Sequence, residues 1–175
     1  MQSMKNKIFL TNNLSLVSGD MFLSKMQTIT ITVNTVGVMG KGVALTAKNL
    51  FPDMYWKYKE LCQNRVLKMG KPYIYKSENL KQQLLLFPTK THWRNISNIN
   101  GIKDGLEWLV NHYQDECIES LAIPALGCGL GRLRWSDVGP IMCSFLKQLD
   151  IPTEIYLPTE QDIPKEQLEP DFLLQ

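Results

Sequence analysis

Residues 28–44, TITITVNTVGVMGKGVA, decide the fold. The first six, TITITV (28–33), are almost all β-branched. Such side chains suit a pleated strand and resist a helix. Asn34 follows, then a loop carrying Gly37, Gly40 and Gly42, and then a helix predicted over 41–50. A strand, a glycine loop and a helix in that order open an α/β unit. Glycines permit unusual backbone angles and let main-chain N–H groups approach a ligand closely. Beside a helix N-terminus they form a site for phosphate.

Outward from this unit, strands and helices alternate. Upstream lie two short apolar runs, Ile8-Phe9-Leu10 and Leu14-Ser15-Leu16-Val17, split by the turn-prone Asn12-Asn13. Downstream, Pro52 closes the first helix, because the residue before a proline is pushed out of helical geometry. A second helix is predicted over 53–63, then strands over 73–76 and 84–87. Ile99, Ile102, Leu106, Leu109 and Tyr113, at steps of three and four, form one apolar helical stripe over 98–114. A strand over 119–124 ends at Pro124. Ser136 suits an N-cap with Asp137 in the first turn, and Val138, Ile141, Phe145 and Leu149 continue that helix. A last strand is expected over 154–157. Residues 159–175 are acidic, proline-bearing and aperiodic, and are expected to be a tail or the stub of a linker. The expectation is one α/β domain over 1–158, its mostly parallel sheet covered on both faces. In such sheets ligands bind beyond the carboxyl ends of the strands.

Composition narrows the class. The chain has 175 residues, 44% hydrophobic and 21% charged, which excludes disorder over most of its length. Nineteen Lys and Arg against 17 Asp and Glu give a net charge of +2, so any nucleic-acid binding must rest on a local patch. No window approaches a membrane span, and the N-terminus lacks the apolar region of a signal peptide. Cys62, Cys117, Cys128 and Cys143 include no CxxC pair, so no zinc or redox site is expected. A reduced, cytoplasmic, soluble protein is the expectation.

A second glycine loop, Pro124-Ala125-Leu126-Gly127-Cys128-Gly129-Leu130-Gly131-Arg132, follows the strand LAIPA. Each loop alone reads more readily as a plain turn than as a phosphate cradle. Two on one sheet edge point to a diphosphate ligand. Neither is a Walker A, since Gly40-Lys41 is followed by Gly42 and not by Ser or Thr, and neither fits GxGxxG. Asn34, at the mouth of the first loop, can hydrogen-bond a sugar hydroxyl or serve its own turn. Asp20, after Gly19, can accept from an exocyclic amine or cap a turn. A third segment, LLLFPTKTHWR (84–94), runs from a buried strand into Lys90, His92, Trp93 and Arg94. A partly desolvated lysine can act as a nucleophile, or stay charged and stabilise an anion. His92 can shuttle a proton, and Trp93 and Arg94 can stack on a base and hold a phosphate. A solvated loop is the plainer alternative for that run.

Together these segments resemble a macrodomain, the ADP-ribose-binding α/β module, over roughly residues 15–157. VNTVGVMGKGVAL, FPTKTHWR and PALGCGLGRLRW are similar to the DarG-type branch, antitoxins that remove ADP-ribose from thymidine in DNA. The resemblance implies a three-layer α/β/α fold with a mixed, mostly parallel central sheet. It implies that Asp20 meets the adenine amine and Asn34 the distal ribose. Gly37, Val38, Met39, Gly40, Gly42 and Val43 would embrace the distal ribose and phosphate. Leu126, Gly127, Cys128, Gly129, Leu130 and Gly131 would hold the diphosphate, and Lys90 would be catalytic. The related terminal ADP-ribose protein glycohydrolases place an aspartate where this chain has Gly131, a departure that favours a DNA substrate.

The expected function is therefore metal-free and cofactor-free hydrolysis of a ribosyl–nitrogen bond on single-stranded DNA. The expected partners are that DNA and a cognate ADP-ribosyltransferase toxin, with the chain itself a monomer. The alternatives are a hydrolase of protein-linked or acetylated ADP-ribose, and an ADP-ribose reader without turnover, which needs no lysine at the distal ribose.

Overall fold

The computed structural model describes residues 6–175. Seven strands form one sheet: β1 (Asn6–Phe9), β2 (Leu14–Ser18), β3 (Thr28–Asn34), β4 (Tyr73–Tyr75), β5 (Gln83–Lys90), β6 (Leu121–Pro124) and β7 (Thr153–Tyr156). Their spatial order is β1-β2-β7-β6-β3-β5-β4. The inner pairs are parallel, and only the edge pairs β1–β2 and β4–β5 are antiparallel. The sheet is thus mixed and mostly parallel, as expected.

Alternation along the central strands divides the core. On β5, Leu84 and Leu86 face one side, where Ile29, Ile31 and Val33 of β3 join them. That side is covered by α1 (Gly42–Leu50) and α2 (Pro52–Gln63) through Ala47, Met54, Tyr58 and Leu61. Leu85 and Phe87 face the other side, against Ile102, Leu106 and Leu109 of α3 (Ile99–His112) and Val138 and Met142 of α4 (Trp135–Leu146). Each layer buries its apolar stripe on one sheet face, which makes three layers, α/β/α. The close fit depends on small residues: a Cβ on Gly105 of α3 would stand 2.5 Å from the Phe87 ring.

Most element ends shift by one or two residues from the sequence expectation, and three departures have a physical reason. β5 does not stop at Phe87 but runs through Pro88 and Thr89 to Lys90. Pro88 is tolerated because β4 pairs only with Leu84–Leu86, so the missing N–H of the proline breaks no ladder on that side. The N-cap of α4 is Arg134, and Ser136 lies inside the first turn. Residues 159–175, expected as a tail or linker stub, pack on the domain. They form a 3-10 helix (Lys165–Leu168) and a short helix α5 (Pro170–Leu173). Leu173 is buried beside α4, and the Trp135 indole N–H donates to Gln167 O at 3.0 Å. Acidic composition hid this docking, to which Ile163, Leu168, Phe172 and Leu174 also contribute by packing against the core.

No described helix is long and apolar enough to cross a membrane.

Candidate functional site

The parallel strands β2, β3, β5, β6 and β7 end on one edge, and a cleft of about 780 Å³ opens there. Its walls are the segments that follow those strands: Gly19-Asp20, the loop after Asn34, Lys90 and its successors, the loop after Pro124, and Leu157–Glu160. Strand order reverses around β3, whose chain goes on to β5 on one side and later to β6 on the other. Crevices form at such switch points.

The first loop is wired by Asn34. Its side chain is nearly buried, and Oδ1 accepts from the amides of Val36 (3.1 Å) and Val38 (3.3 Å) while Nδ2 donates to Val38 O at 2.8 Å. The Tyr58 hydroxyl of α2 lies 2.8 Å from Asn34 Oδ1 and 2.9 Å from Asn34 O. Burial pushes the Tyr58 phenol far above its ordinary value, so it stays a donor. Of the two roles weighed for Asn34, the structure displays the turn-organising one. The loop's far flank is tied to the Lys90 segment, where the Thr35 amide and hydroxyl both donate to Thr91 O. The loop then enters α1, whose N-cap, Lys41, supplies no side-chain cap. Among the described residues the first amides of α1, from Gly42 to Ala44, donate to no protein acceptor. The positive end of that helix therefore faces the cleft unsatisfied.

The second loop is held from outside. The Gln161 side chain donates to Cys128 O and Leu133 O and accepts from Trp135 N. The amide of Ser97 donates to Gly131 O at 3.0 Å. Gly127 has φ +73, and a Cβ there would press on Leu133, Ser97 and Ile102. Gly131 has no room for a side chain, since a Cβ would collide with Ser97 Oγ and stand 2.6 Å from Gly127 O. Among the described residues the amides of Gly129, Leu130 and Gly131 donate to no protein acceptor. Three successive free amides make a concavity for an anion. The two loops meet over the cleft: a Cβ on Gly42 would stand 3.1 Å from Leu130 Cδ1.

Lys90 ends β5 opposite Asn34, just past a register shift in the β3–β5 ladder. Among the described residues no carboxylate forms an ion pair with it. Burial, and then the positive charge of Arg132, lower its pKa below the ordinary lysine value. Arg132 sits in the left-handed region (φ 61) and donates through Nη2 to Arg94 O at 3.3 Å. Beyond Lys90, the Arg94 guanidinium lies 4.5 Å from the Trp93 ring centroid, and Trp93 is 45% exposed.

The cleft gathers Asp20, Asn34, Val38, Gly40, Gly42, Val43, Lys90, Trp93 and Arg94. From the second loop it gathers Gly127, Gly129, Leu130 and Gly131. Asp20 caps the 3-10 helix Met21–Leu23 by accepting from Phe22 N at 2.9 Å. Five expected residues lie elsewhere. Gly37 packs on Lys59 and Cys62 of α2; Met39, Leu126 and Cys128 are buried in the core. His92 stacks on Trp93 outside the lining and accepts from Arg94 N through Nδ1. The Cys128 thiol is pushed up to about 12 by burial, with the charges of Asp137 and Glu160 adding to it. Sequence reasoning missed Tyr58, Ser97, Arg132 and Gln161. Arg132 stood within a quoted segment and Gln161 in the stretch expected as a tail, but only the fold shows what they hold. Among the described residues no three His, Cys, Asp or Glu side chains cluster to hold a metal ion.

A sequence model of the Macro domain family matches residues 31–142. A fusion protein of Thermosipho africanus, named DNA ADP-ribosyl transferase-DNA ADP-ribosyl glycohydrolase, is 54% identical over 96% of this chain and 48% of its own length. A DNA ADP-ribosyl glycohydrolase of Thermus aquaticus is 37% identical over 84% of this chain and 42% of its own. Thermosipho africanus DarTG, solved in complex with ADP-ribose, superposes with a TM-score of 0.95 at 54% identity, over 97% of this chain and 48% of that one. The macrodomain of Thermus aquaticus DarG superposes with a TM-score of 0.79 at 36% identity, over 83% of this chain and 98% of that one. The chain spans about half the length of the curated relatives it matches.

Proposed function

The chain belongs to the macrodomain family, and from that membership we propose that it is a DNA ADP-ribosyl glycohydrolase, releasing ADP-ribose from a nucleobase in single-stranded DNA. The observation that carries the proposal is Lys90, a lysine with a lowered pKa and no ion pair, between two loops whose amides await an anion. A module that only read ADP-ribose would have no use for it. Curated relatives bear this activity in their names, and a solved relative holds ADP-ribose.

The free amides of Gly129–Gly131 and the start of α1 take the diphosphate, and the first loop takes the distal ribose. So held, the anomeric carbon lies near Lys90, and orientation itself contributes several orders of magnitude in rate. The C–N bond to the nucleobase breaks through an oxocarbenium-like centre, water's oxygen ends on the anomeric carbon and its proton on the base nitrogen. A neutral Lys90 amine can attack that carbon first, expelling the base, which takes the proton shed by the amine, and water then displaces the lysine to release ADP-ribose. An ammonium can instead stabilise the departing base anion. The lowered pKa raises the neutral fraction and so supports attack. Lys90→Arg separates the roles, because guanidinium does not deprotonate and retains only the charge.

Hydrolysis of protein esters by a lysine–aspartate pair is disfavoured, since Ser97 Oγ and the Gly127 backbone occupy the space an aspartate at position 131 needs. His92, Trp93 and Arg94 flank the cleft mouth and are assigned to the bases beside the modified one. The transferase named in the fusion relative supports an antitoxin role against a DNA-modifying partner. The four free cysteines suit a reducing, cytoplasmic compartment, and a monomer suffices for the site.

The test is release of ADP-ribose from modified single-stranded DNA and, in parallel, from an ADP-ribosylated protein. Release from DNA alone is expected, and unchanged in EDTA. Release from protein alone, or from neither, overturns the proposal.

A further inference from the structure

Helix α2 carries a surface the cleft does not use. Trp56 is 64% exposed, and its ring centroid lies 5.4 Å from that of Tyr55, tilted by 52°. Lys48 Nζ of α1 sits 4.4 Å over the Tyr55 ring, and Lys59 Nζ is 5.6 Å from both rings. Lys57 is paired with Glu60 at 3.3 Å, but among the described residues neither Lys48 nor Lys59 has a carboxylate partner. Single exposed tryptophans are ordinary. Two adjoining aromatic rings crowned by unpaired ammonium groups are a different object. Trp56 presents an open π-face, and the half-buried Tyr55 ring seats two ammonium groups beside it, the combination that holds single-stranded nucleic acid.

Its position gives the patch a reason. A Cβ on Gly37 would stand 3.8 Å from Lys59 Cα, so α2 borders the first loop directly. The same loop's other flank is tied to Thr91, next to Lys90. The first loop therefore lies between the α2 patch and the Lys90–Arg94 segment. A strand presenting its modified base to Lys90 has Trp93 and Arg94 at one side of the loop and the α2 patch at the other.

We propose that Tyr55, Trp56, Lys48 and Lys59 form a second contact for single-stranded DNA, stacking and neutralising nucleotides that flank the modified one. The inference rests on the glycohydrolase reading and adds the path of the substrate strand. The test compares the wild type with Trp56→Ala/Lys48→Ala, and with Trp56→Phe, on two substrates: an ADP-ribosylated single-stranded oligonucleotide and an ADP-ribosylated nucleoside. The double variant should raise KM for the oligonucleotide about tenfold and leave turnover of the nucleoside unchanged. Trp56→Phe should recover much of the loss, because it keeps a stacking face. Affinity for an unmodified single-stranded oligonucleotide should fall in parallel, with a shallower salt dependence. That last measurement does not depend on hydrolysis, so it decides the surface even if the wild type releases nothing and the glycohydrolase reading fails. Unchanged oligonucleotide binding by the double variant overturns the inference, whether or not that variant loses affinity for a protein partner. An equal loss on the nucleoside also overturns it.

Discussion

In the first glycine loop, one residue of the loop's own strand does the organising. Asn34 gathers the amides of Val36 and Val38 on Oδ1, and Tyr58 of α2 locks that amide from behind. In the second loop no residue plays that part. Gln161, 33 positions after Cys128, supplies the staple from the C-terminal segment, and Ser97 holds Gly131 from the loop before α3. The difference leaves the two loops with different free groups. The first offers the start of α1 and has spent its own early amides on Asn34. The second has its carbonyls tied down and leaves the amides of Gly129, Leu130 and Gly131 open. Both loops present donors to an anion, but the second closes on its own backbone, Cys128 N to Ala125 O, Arg132 N to Gly129 O and Leu133 N to Gly127 O, and takes its side-chain support from a distant part of the chain.

The largest effect is expected where the second loop is filled. A Cβ on Gly129 meets nothing closer than Glu160 at 3.5 Å, so Gly129→Glu should fold. Its carboxylate would face the diphosphate at about 4 Å, a repulsion of about 4 kcal/mol and on the order of a thousandfold in affinity. Calorimetry with ADP-ribose should show binding lost and a melting temperature close to wild type; unchanged affinity would remove the assignment of this loop.

Asn34→Ala comes next. It deprives the amides of Val36 and Val38 of their acceptor, at a cost of about 1–3 kcal/mol. Chemical denaturation should register that loss, with weaker ADP-ribose binding beside it. A variant as stable as the wild type would mean the first loop does not depend on its own asparagine.

Gln161→Ala should act on the second loop and on the start of α4, where Trp135 N loses its acceptor, and leave the first loop untouched. Leaving Cys128 O and Leu133 O without their donor costs about 1 kcal/mol, which at the site is about fivefold in affinity. Combined with Asn34→Ala the two losses should add, because they serve separate loops. Strong non-additivity in a double-mutant cycle would show that the loops are one unit.

The smallest effect concerns pH. Arg132 is the second cause of the lowered Lys90 pKa, after burial. Removing its positive charge by Arg132→Ala favours the ammonium and raises that pKa. If the neutral amine is the active form, the rising limb of the rate profile should move to higher pH in the variant. A limb that moves to lower pH, or stays, would contradict the coupling.

Much of this was legible in the residues. TITITV has to be a strand, and glycines between it and an apolar helix have to lie at its carboxyl end. Lys90 could be singled out because a buried run ends on it. What stayed hidden depends on contacts far apart in sequence. Tyr58 is 24 positions from Asn34, and nothing local marks it as that residue's partner. Gln161 sits in a stretch whose acidic, aperiodic composition argues for a tail, although a few contacts suffice to dock it. β5 extends past a proline because its neighbour stops short, which only the pairing reveals. Met39, Leu126 and Cys128 lie within the quoted loops, yet their side chains turn into the core, and spacing alone cannot separate a loop's inner face from its outer one.

The two loops are assigned to binding and Lys90 to reaction. Lys90→Ala removes the amine and no part of either loop, so binding and turnover should come apart. Calorimetry should return an ADP-ribose affinity within about twofold of wild type, while release from modified single-stranded DNA under single-turnover conditions falls by on the order of a hundredfold or more. Release by Lys90→Ala at the wild-type rate would contradict the account.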